Sequence, residues 1–191
     1  SSATQLMSEA LSVATGRPLS EYAEEHLFKP MGIKEYFWNK TPEGFNNAGG
    51  GLFLSPRDLA RFSLLFEREG EWNGRQVLSR EWVRRSRTAW VADVSPEEPE
   101  YDMGYGYQWW IYNRAEEGKP EMYGGWGWGG QFPLIVPELG LVAVFTGWNI
   151  YEEEHQYAFR LFYDRIVLSA DREATGASDR QFWMGMKCLI P

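Results

Sequence analysis

One cysteine and two histidines in 191 residues remove several chemistries at once. Cys188 has no partner for an internal disulfide, and Cys188, His26 and His155 are too few for a Cys/His zinc site, so no structural metal is expected. No cofactor is expected either. Only Lys187 adjoins Cys188 to lower its pKa, which makes it a poor nucleophile. His26 lies between Glu25 and Leu27 in a helical pattern, and His155 follows Glu152, Glu153 and Glu154. Neither accompanies a serine or cysteine motif, and neither is assigned a role. Cysteine poverty leaves the compartment open.

Positive charge and long apolar runs are scarce as well. The 19 Lys and Arg stand against 27 Asp and Glu, a formal charge of -8. The cations are scattered, which argues against a nucleic acid or an anionic membrane as partner. Arg84, Arg85 and Arg87 form a cluster that reads as the solvated face of a helix. No apolar run has the length of a membrane span, and no charged n-region with an apolar h-region opens the chain. G-x-x-x-x-G-K-[ST] and G-x-S-x-G are both absent. Gly125 to Gly130 spells G-x-G-x-x-G, but QFPLIVP follows where a dinucleotide site needs a helix. An initiator methionine is missing too, and SSATQ runs straight into an amphipathic pattern, as the interior of a longer chain would.

What is present is helical first and extended later. Ala3, Leu6, Met7, Ala10, Leu11 and Ala14 fall at helical spacing, which predicts a helix over 3–15 with that face buried and Gly16 as its stop. PLSEYAEEHLFKPMG predicts a second helix ended by Pro30 and Gly32, and residues 34–50 read as a loop. SPRDLARFSLLFEREG has Ser55 as N-cap, Pro56 at the first helical position, Asp58 closing a capping box, and Leu59, Phe62, Leu65 and Phe66 on one face. SREWVRRSRTAW repeats the pattern behind Ser79, and VADVSPEEPEYD reads as an exposed acidic loop.

The period then changes. GYGYQWWIYN, the glycine-tryptophan stretch with FPLIV, and LGLVAVFTG predict three strands, with Pro137 to Gly140 as a hairpin connection. A last amphipathic helix over 152–168 offers Ala158, Leu161, Phe162 and Ile166 to the core. With no repeat and no linker, residues 1–170 read as part of one domain and 171–191 as a poorly defined tail. Helices, then antiparallel strands, then a helix predict an α+β layered sandwich, an antiparallel sheet flanked by helices.

The stretch MYGGWGWGGQFPLIV is the anomaly. Glycine inside a strand marks either a bulge that fits helix against sheet or a backbone kept bare for a ligand, and the residues alone leave both readings open. Ten tryptophans raise a glycan-stacking reading, although most of them would fill the core or the interface between helices and sheet. Trp126 and Trp128, two apart on a strand, would share a face and form the edge of a cleft.

Three pieces, in this order, resemble a known family: SSATQLMSEALSVATGRPLSEYAEEHLFKPMGI, NAGGGLFLSPRDLARF, and YGYQWWIY with GWGWGGQFPLIVPELGLVAVFTG. The sequence from Ser1 to about Leu168 is similar to the serine β-lactamase-related hydrolases, which include class C β-lactamases, penicillin-binding carboxypeptidases, and esterases and amide hydrolases of one fold. The resemblance implies a β-lactamase/transpeptidase-like layered sandwich, here incomplete. It also implies acyl transfer by the serine of an S-x-x-K motif, with its lysine and a Y-x-N tyrosine managing the proton, a small-molecule ester or amide substrate, and a periplasmic or secreted setting.

No serine here begins S-x-x-K: Ser55 opens SPRD, Ser79 SREW and Ser178 SDRQ. By register the tyrosine motif would fall just before the first residue, with Ser1 at its third position. The family's third motif, K-T-G or H-x-G, would fall on Gly125-Trp126-Gly127, which lacks a charged first position. That departure favours an ester or amide over a carboxylate-bearing β-lactam. The implied roles are the backbone N–H of Trp128 in an oxyanion hole, and Gly125, Trp126, Gly127, Gln131 and Ser1 against the substrate. The expectation is a C-terminal fragment of such an enzyme without its nucleophile, the alternative being a non-catalytic carbohydrate-binding or degenerate scaffold module; the oligomeric state is left open.

Overall fold

A computed structural model describes residues 2–94, 103–112, 120–147 and 161–170. The chain divides into two compact units, Ser1–Arg80 and Glu81–Pro191. In the first, helix α1 (Ser2–Thr15) turns its predicted buried face outward: Leu6 and Met7 are exposed, and Ser8 is the buried residue. The polar side carries the tertiary bonds. Ser8 Oγ and Gln5 Nε2 donate to the Asn46 carbonyl at 2.9 and 3.2 Å, and Gln5 Oε1 accepts from the Ala48 N–H at 3.1 Å. Periodicity located a helix, but a stripe pattern does not say which side meets the protein.

α2 (Leu19–Ala23), a π-helical turn (Glu24–Phe28) and α3 (Lys29–Met31) follow without a break, so Pro30 does not end the helix as expected. The Lys29 N–H reaches back to the Glu24 carbonyl. That wider turn accommodates a proline whose ring would otherwise meet the carbonyl four residues earlier. Gly32, at φ +71°, closes the segment in the left-handed conformation that suits glycine.

Part of the expected loop 34–50 is strand. β1 (Tyr36–Trp38) pairs antiparallel with β2 (Leu52–Leu54), Tyr36 opposite Leu54 and Trp38 opposite Leu52. These four residues pack on Phe28, Met31, Ile33, Leu65 and Trp72, while Phe37 and Phe53 face out and meet each other at 5.9 Å. α4 (Pro56–Glu67) starts as expected: Ser55 Oγ accepts from the Asp58 N–H at 3.1 Å and donates to Asp58 Oδ2 at 2.7 Å. Arg61 then holds Asp58 Oδ1 at 2.7 Å. β3 (Glu71–Trp72) and β4 (Arg75–Gln76) close a hairpin over Asn73 and Gly74, both at positive φ, the residues a two-residue hairpin turn selects.

α5 (Arg80–Ser86) leads into the second unit. There β5 (Met103–Tyr105), β6 (Trp110–Tyr112), β7 (Met122–Gly124), β8 (Gln131–Val136) and β9 (Leu141–Thr146) form one antiparallel sheet in sequence order. The three predicted strands are therefore five, because two of the runs fold back on themselves. GYGYQWWIYN turns where the Gly106 N–H meets the Trp109 carbonyl at 2.9 Å. A Cβ at Gly106 would lie 2.0 Å from the Ser86 carbonyl oxygen, so only glycine lets the turn dock there.

One sheet face carries Tyr112, Met122, Phe132, Leu134 and Val136 against Phe162, Tyr163 and Val167. The other carries Tyr123, over whose ring the Arg87 guanidinium lies at 5.9 Å. The last helix is described over 161–170 and contains a π-helical turn, Phe162–Val167. Leu161 and Ile166, expected in the core, are exposed, and Tyr163 and Val167 are buried instead. The extra residue of a π turn rotates the buried face relative to a 3.6-residue count. Ala158, residues 95–102 of the acidic loop and the tail 171–191 lie outside the described residues. Among the described residues no helix is long and apolar enough to cross a membrane.

Ser55→Ala should lower stability by about 1 kcal/mol through loss of the cap, read as a shifted midpoint in urea. Burial pushes the Tyr112 phenol well above its usual pKa. A folded-state pKa raised in this way favours the fold below the unfolded value, near about 10, and that contribution is lost as pH rises further. Absorbance at alkaline pH should therefore show Tyr112 ionising only together with unfolding of the sheet.

Candidate functional site

The glycine-tryptophan stretch is a hairpin connection. β7 ends with Gly124 opposite Leu134, and pairing continues in the same register beyond it. The Gly125 N–H donates to the Pro133 carbonyl at 3.0 Å and the Gly127 N–H to the Gln131 carbonyl at 2.9 Å. Trp128, Gly129 and Gly130 make the loop, with the Gly130 N–H on the Gly127 carbonyl at 3.2 Å and φ of +90° and +95° at Gly129 and Gly130. A turn with positive φ at its third residue is a glycine position. β6 starts at Trp110, opposite Gly124, so residues 125–127 run past its end with β8 as their ladder partner.

The missing side chains answer first to β8. A Cβ at Gly124 would stand 2.4 Å from the Pro133 oxygen, one at Gly125 3.0 Å from Pro133 Cγ, and one at Gly127 2.8 Å from the Gln131 oxygen. The loop is then tied to the end of β9. The Gly147 N–H donates to the Gly130 carbonyl at 2.8 Å, and Gln131 Nε2 donates to the Gly147 carbonyl. Gly147 must itself be bare, because a Cβ there would lie 2.7 Å from the Gly129 oxygen. Sequence reasoning missed Gly147: a glycine after a strand signals a turn, and nothing local shows that another loop rests on it.

The two indoles do not share a face. Trp126 is half-buried and packs on Trp110 and Phe132, with ring centroids 5.9 and 5.6 Å away. Trp128 stands in the loop, 75% exposed. Strand alternation ends at Gly127, so two-residue spacing no longer fixes direction.

The backbone donors of the loop divide cleanly. The N–H groups of Gly125, Gly127, Gly130 and Gln131 are all spent inside the hairpin. Those of Trp128 and Gly129 make no hydrogen bond among the described residues. From Gly124 to Val136 there is no ionisable side chain. The arrangement can therefore supply oriented N–H donors and apolar surface, and no proton carrier or metal ligand. Among the described residues, no group of three or more His, Cys, Asp or Glu is placed to hold a metal ion. Ser1 lies outside the described residues, and Gly125, Trp126, Gly127, Trp128 and Gln131 come together on this hairpin.

Residues 1–149 match the family model described as Beta-lactamase. The chain belongs to the β-lactamase family. Among curated proteins it is similar to the D-alanyl-D-alanine-carboxypeptidase/endopeptidase AmpH of Escherichia coli K12, 24% identical over 173 residues, with 75% of this chain and 43% of AmpH covered. Among solved structures it is similar to a candidate 6-aminohexanoate-dimer hydrolase from Bacillus anthracis, with a TM-score of 0.75, 22% identity, and 88% of this chain and 42% of that one covered. A β-lactamase from Mycobacterium bovis gives a TM-score of 0.68 at 17% identity, with 88% and 62% covered. The fold is that of the β-lactamase/transpeptidase hydrolases, as the order of sequence motifs implied. The chain spans less than half the length of AmpH and of the Bacillus anthracis protein.

Gly127→Ala should push Gln131 away and cost about 1–3 kcal/mol by overpacking. Hydrogen exchange should report it as faster exchange at Gly130 and Gln131. Trp128→Ala, at an exposed position, should stay within about 0.5 kcal/mol of the unaltered chain in the same urea titration.

Proposed function

We propose that this chain is the acyl-polarising part of a β-lactamase-related serine hydrolase acting through an acyl-enzyme on an ester or amide. The nucleophile would come from an S-x-x-K motif that none of its own serines provides. The observation that carries the reading is the pair of unspent backbone N–H groups at Trp128 and Gly129, on a loop clamped by Gly127, Gln131 and Gly147. As a hydroxyl attacks a carbonyl, the carbonyl oxygen gains negative charge. A donor already fixed at that position lowers the barrier without reorganising, and removing one typically costs about 2.7–4 kcal/mol.

The rest of the hairpin suits the same task. Residues 125–127 run beyond β6, which leaves room for an extended acyl chain beside their backbone. The exposed Trp128 indole and the edge of Trp126 give that chain apolar contact. With no charged side chain on the stretch, a neutral substrate is favoured over one recognised by its carboxylate. The names of the similar proteins, a carboxypeptidase/endopeptidase and an aminohexanoate-dimer hydrolase, agree with an amide or ester.

The isolated 191-residue chain should hydrolyse p-nitrophenyl acetate no faster than a heat-denatured control. Joined to a segment bearing S-x-x-K and Y-x-N, it should gain turnover. In that longer polypeptide Trp128→Pro should lower kcat by about 10²–10³-fold, since proline fits the second position of the turn yet carries no N–H. Trp128→Ala keeps the N–H and should lose far less. Turnover by the isolated chain well above the control, or a Trp128→Pro enzyme of unchanged kcat, would overturn the reading.

A further inference from the structure

The second unit holds a cavity of about 570 Å³ at the end of its sheet away from the glycine-tryptophan hairpin. Ile111, Tyr123 and Ile135 stand opposite one another on β6, β7 and β8, so they form a buried row on one face. Glu121, two residues before Tyr123, and Pro137, two beyond Ile135, extend that face where β7 begins and β8 stops. The loop at Trp128 joins the other ends of these strands, roughly 20 Å away along the six residues of β8. Arg84 on α5 and Arg87 just beyond it reach the cavity together with Thr88, and the Arg87 guanidinium lies 5.9 Å from the Tyr123 ring centre.

Charge of both signs faces this space. The two arginines stand on the α5 side, and Glu121 and Glu138 on the side of the strand ends, with Ile111 and Pro137 as apolar lining between them. Among the described residues, neither carboxylate forms an ion pair or a hydrogen bond, so the opposite charges are held apart across the cavity rather than closed on one another. A simple anion there would meet two carboxylates, and a simple cation two guanidinium groups. A ligand that carries one charge of each sign satisfies both walls.

We propose that the cavity binds a short peptide as its zwitterion, with the C-terminal carboxylate against Arg84 and Arg87 and the N-terminal ammonium against Glu121 and Glu138. Guanidinium groups match a carboxylate geometrically, and an ammonium supplies three donors to carboxylate oxygens. The Thr88 hydroxyl can serve a peptide group between the two ends. An α-amino acid carries both charges on one carbon and cannot separate them. A peptide of about two to three residues, at up to ~3.6 Å per residue, does so and fits a cavity of this size. The site stands whether or not the hairpin supports hydrolysis.

The test follows the isotope-labelled 191-residue chain by NMR at low salt, titrated with trialanine, N-acetyl-trialanine and trialanine amide. Saturable binding of trialanine with a Kd on the order of 1 mM is expected, because exposed ion pairs contribute little each. Each blocked peptide should bind about 3–5-fold more weakly. The shifted amides should be those of Thr88, Glu121 and Glu138, not those of residues 125–131. Glu121→Gln should erase the discrimination against the acetylated peptide, and Arg84→Gln the discrimination against the amide. Arg84 is the residue to change because it is exposed, whereas Arg87 packs on Tyr123. Should Glu121→Gln alter the near-ultraviolet circular dichroism, Glu138→Gln tests the same wall. The proposal is overturned by no saturable binding of trialanine, by a blocked peptide that binds as tightly as the free one, by shifts centred on residues 125–131, or by variants that leave the discrimination intact.

Discussion

The close approach of two backbones between β7 and β8 is the constraint on which the hairpin's chemistry depends. At Gly124 the space for a Cβ lies 2.4 Å from the Pro133 oxygen, and at Gly127 it lies 2.8 Å from the Gln131 oxygen. Any side chain at either position would part the strands. Because they close, Gly127 and Gln131 exchange backbone hydrogen bonds, and the loop between them leaves two adjacent N–H groups outside the ladder's hydrogen bonds. Gly147 then fixes the loop from outside the hairpin, which makes the end of β9 part of the same construction.

Such a loop is expensive in isolation. Each glycine in the ladder costs roughly 0.5–1 kcal/mol relative to alanine, and Gly124, Gly125 and Gly127 stand there, whereas Gly129 and Gly130 sit at positive φ, where glycine is favoured. The compensation lies in the strand that follows. Phe132, Leu134, Ile135 and Val136 are completely buried, and each such side chain contributes about 1.5–3 kcal/mol on removal from water. A stiff, apolar β8 thus tolerates a bare neighbour, and the stability of the sheet underwrites the geometry at its tip.

Local signals were legible in the sequence where the cause was local. Ser55, Pro56 and Asp58 announced α4 because a cap is made by residues three apart. Asn73-Gly74 could have announced the β3–β4 hairpin in the same way. What the sequence hid depended on distant partners. The outward face of α1 follows from Asn46 and Ala48 accepting and donating bonds on its polar side. The passage through Pro30 follows from a π turn before it, and the shifted face of the last helix from another. At the candidate site, the glycine-rich anomaly was legible, but the separate fates of Trp126 and Trp128 were not. They are decided by where β8 turns back, which alternation in a single strand cannot reveal.

A motif that lacks a charged first position would be a poor remnant if its work were done by side chains. Gly125-Trp126-Gly127 offers instead a defined backbone path, and a backbone donor keeps its role through any substitution that preserves that path. Stabilising a developing oxyanion needs an N–H at the right place, and under the proposed function Trp128 would supply it whatever its side chain. On that reading the side chains would be free to set which acyl group is tolerated. Trp128 stands 75% exposed on a clamped loop, so on the proposed function its side chain would set selectivity while its backbone N–H polarises the carbonyl, and the two tasks would be separable on the same residue.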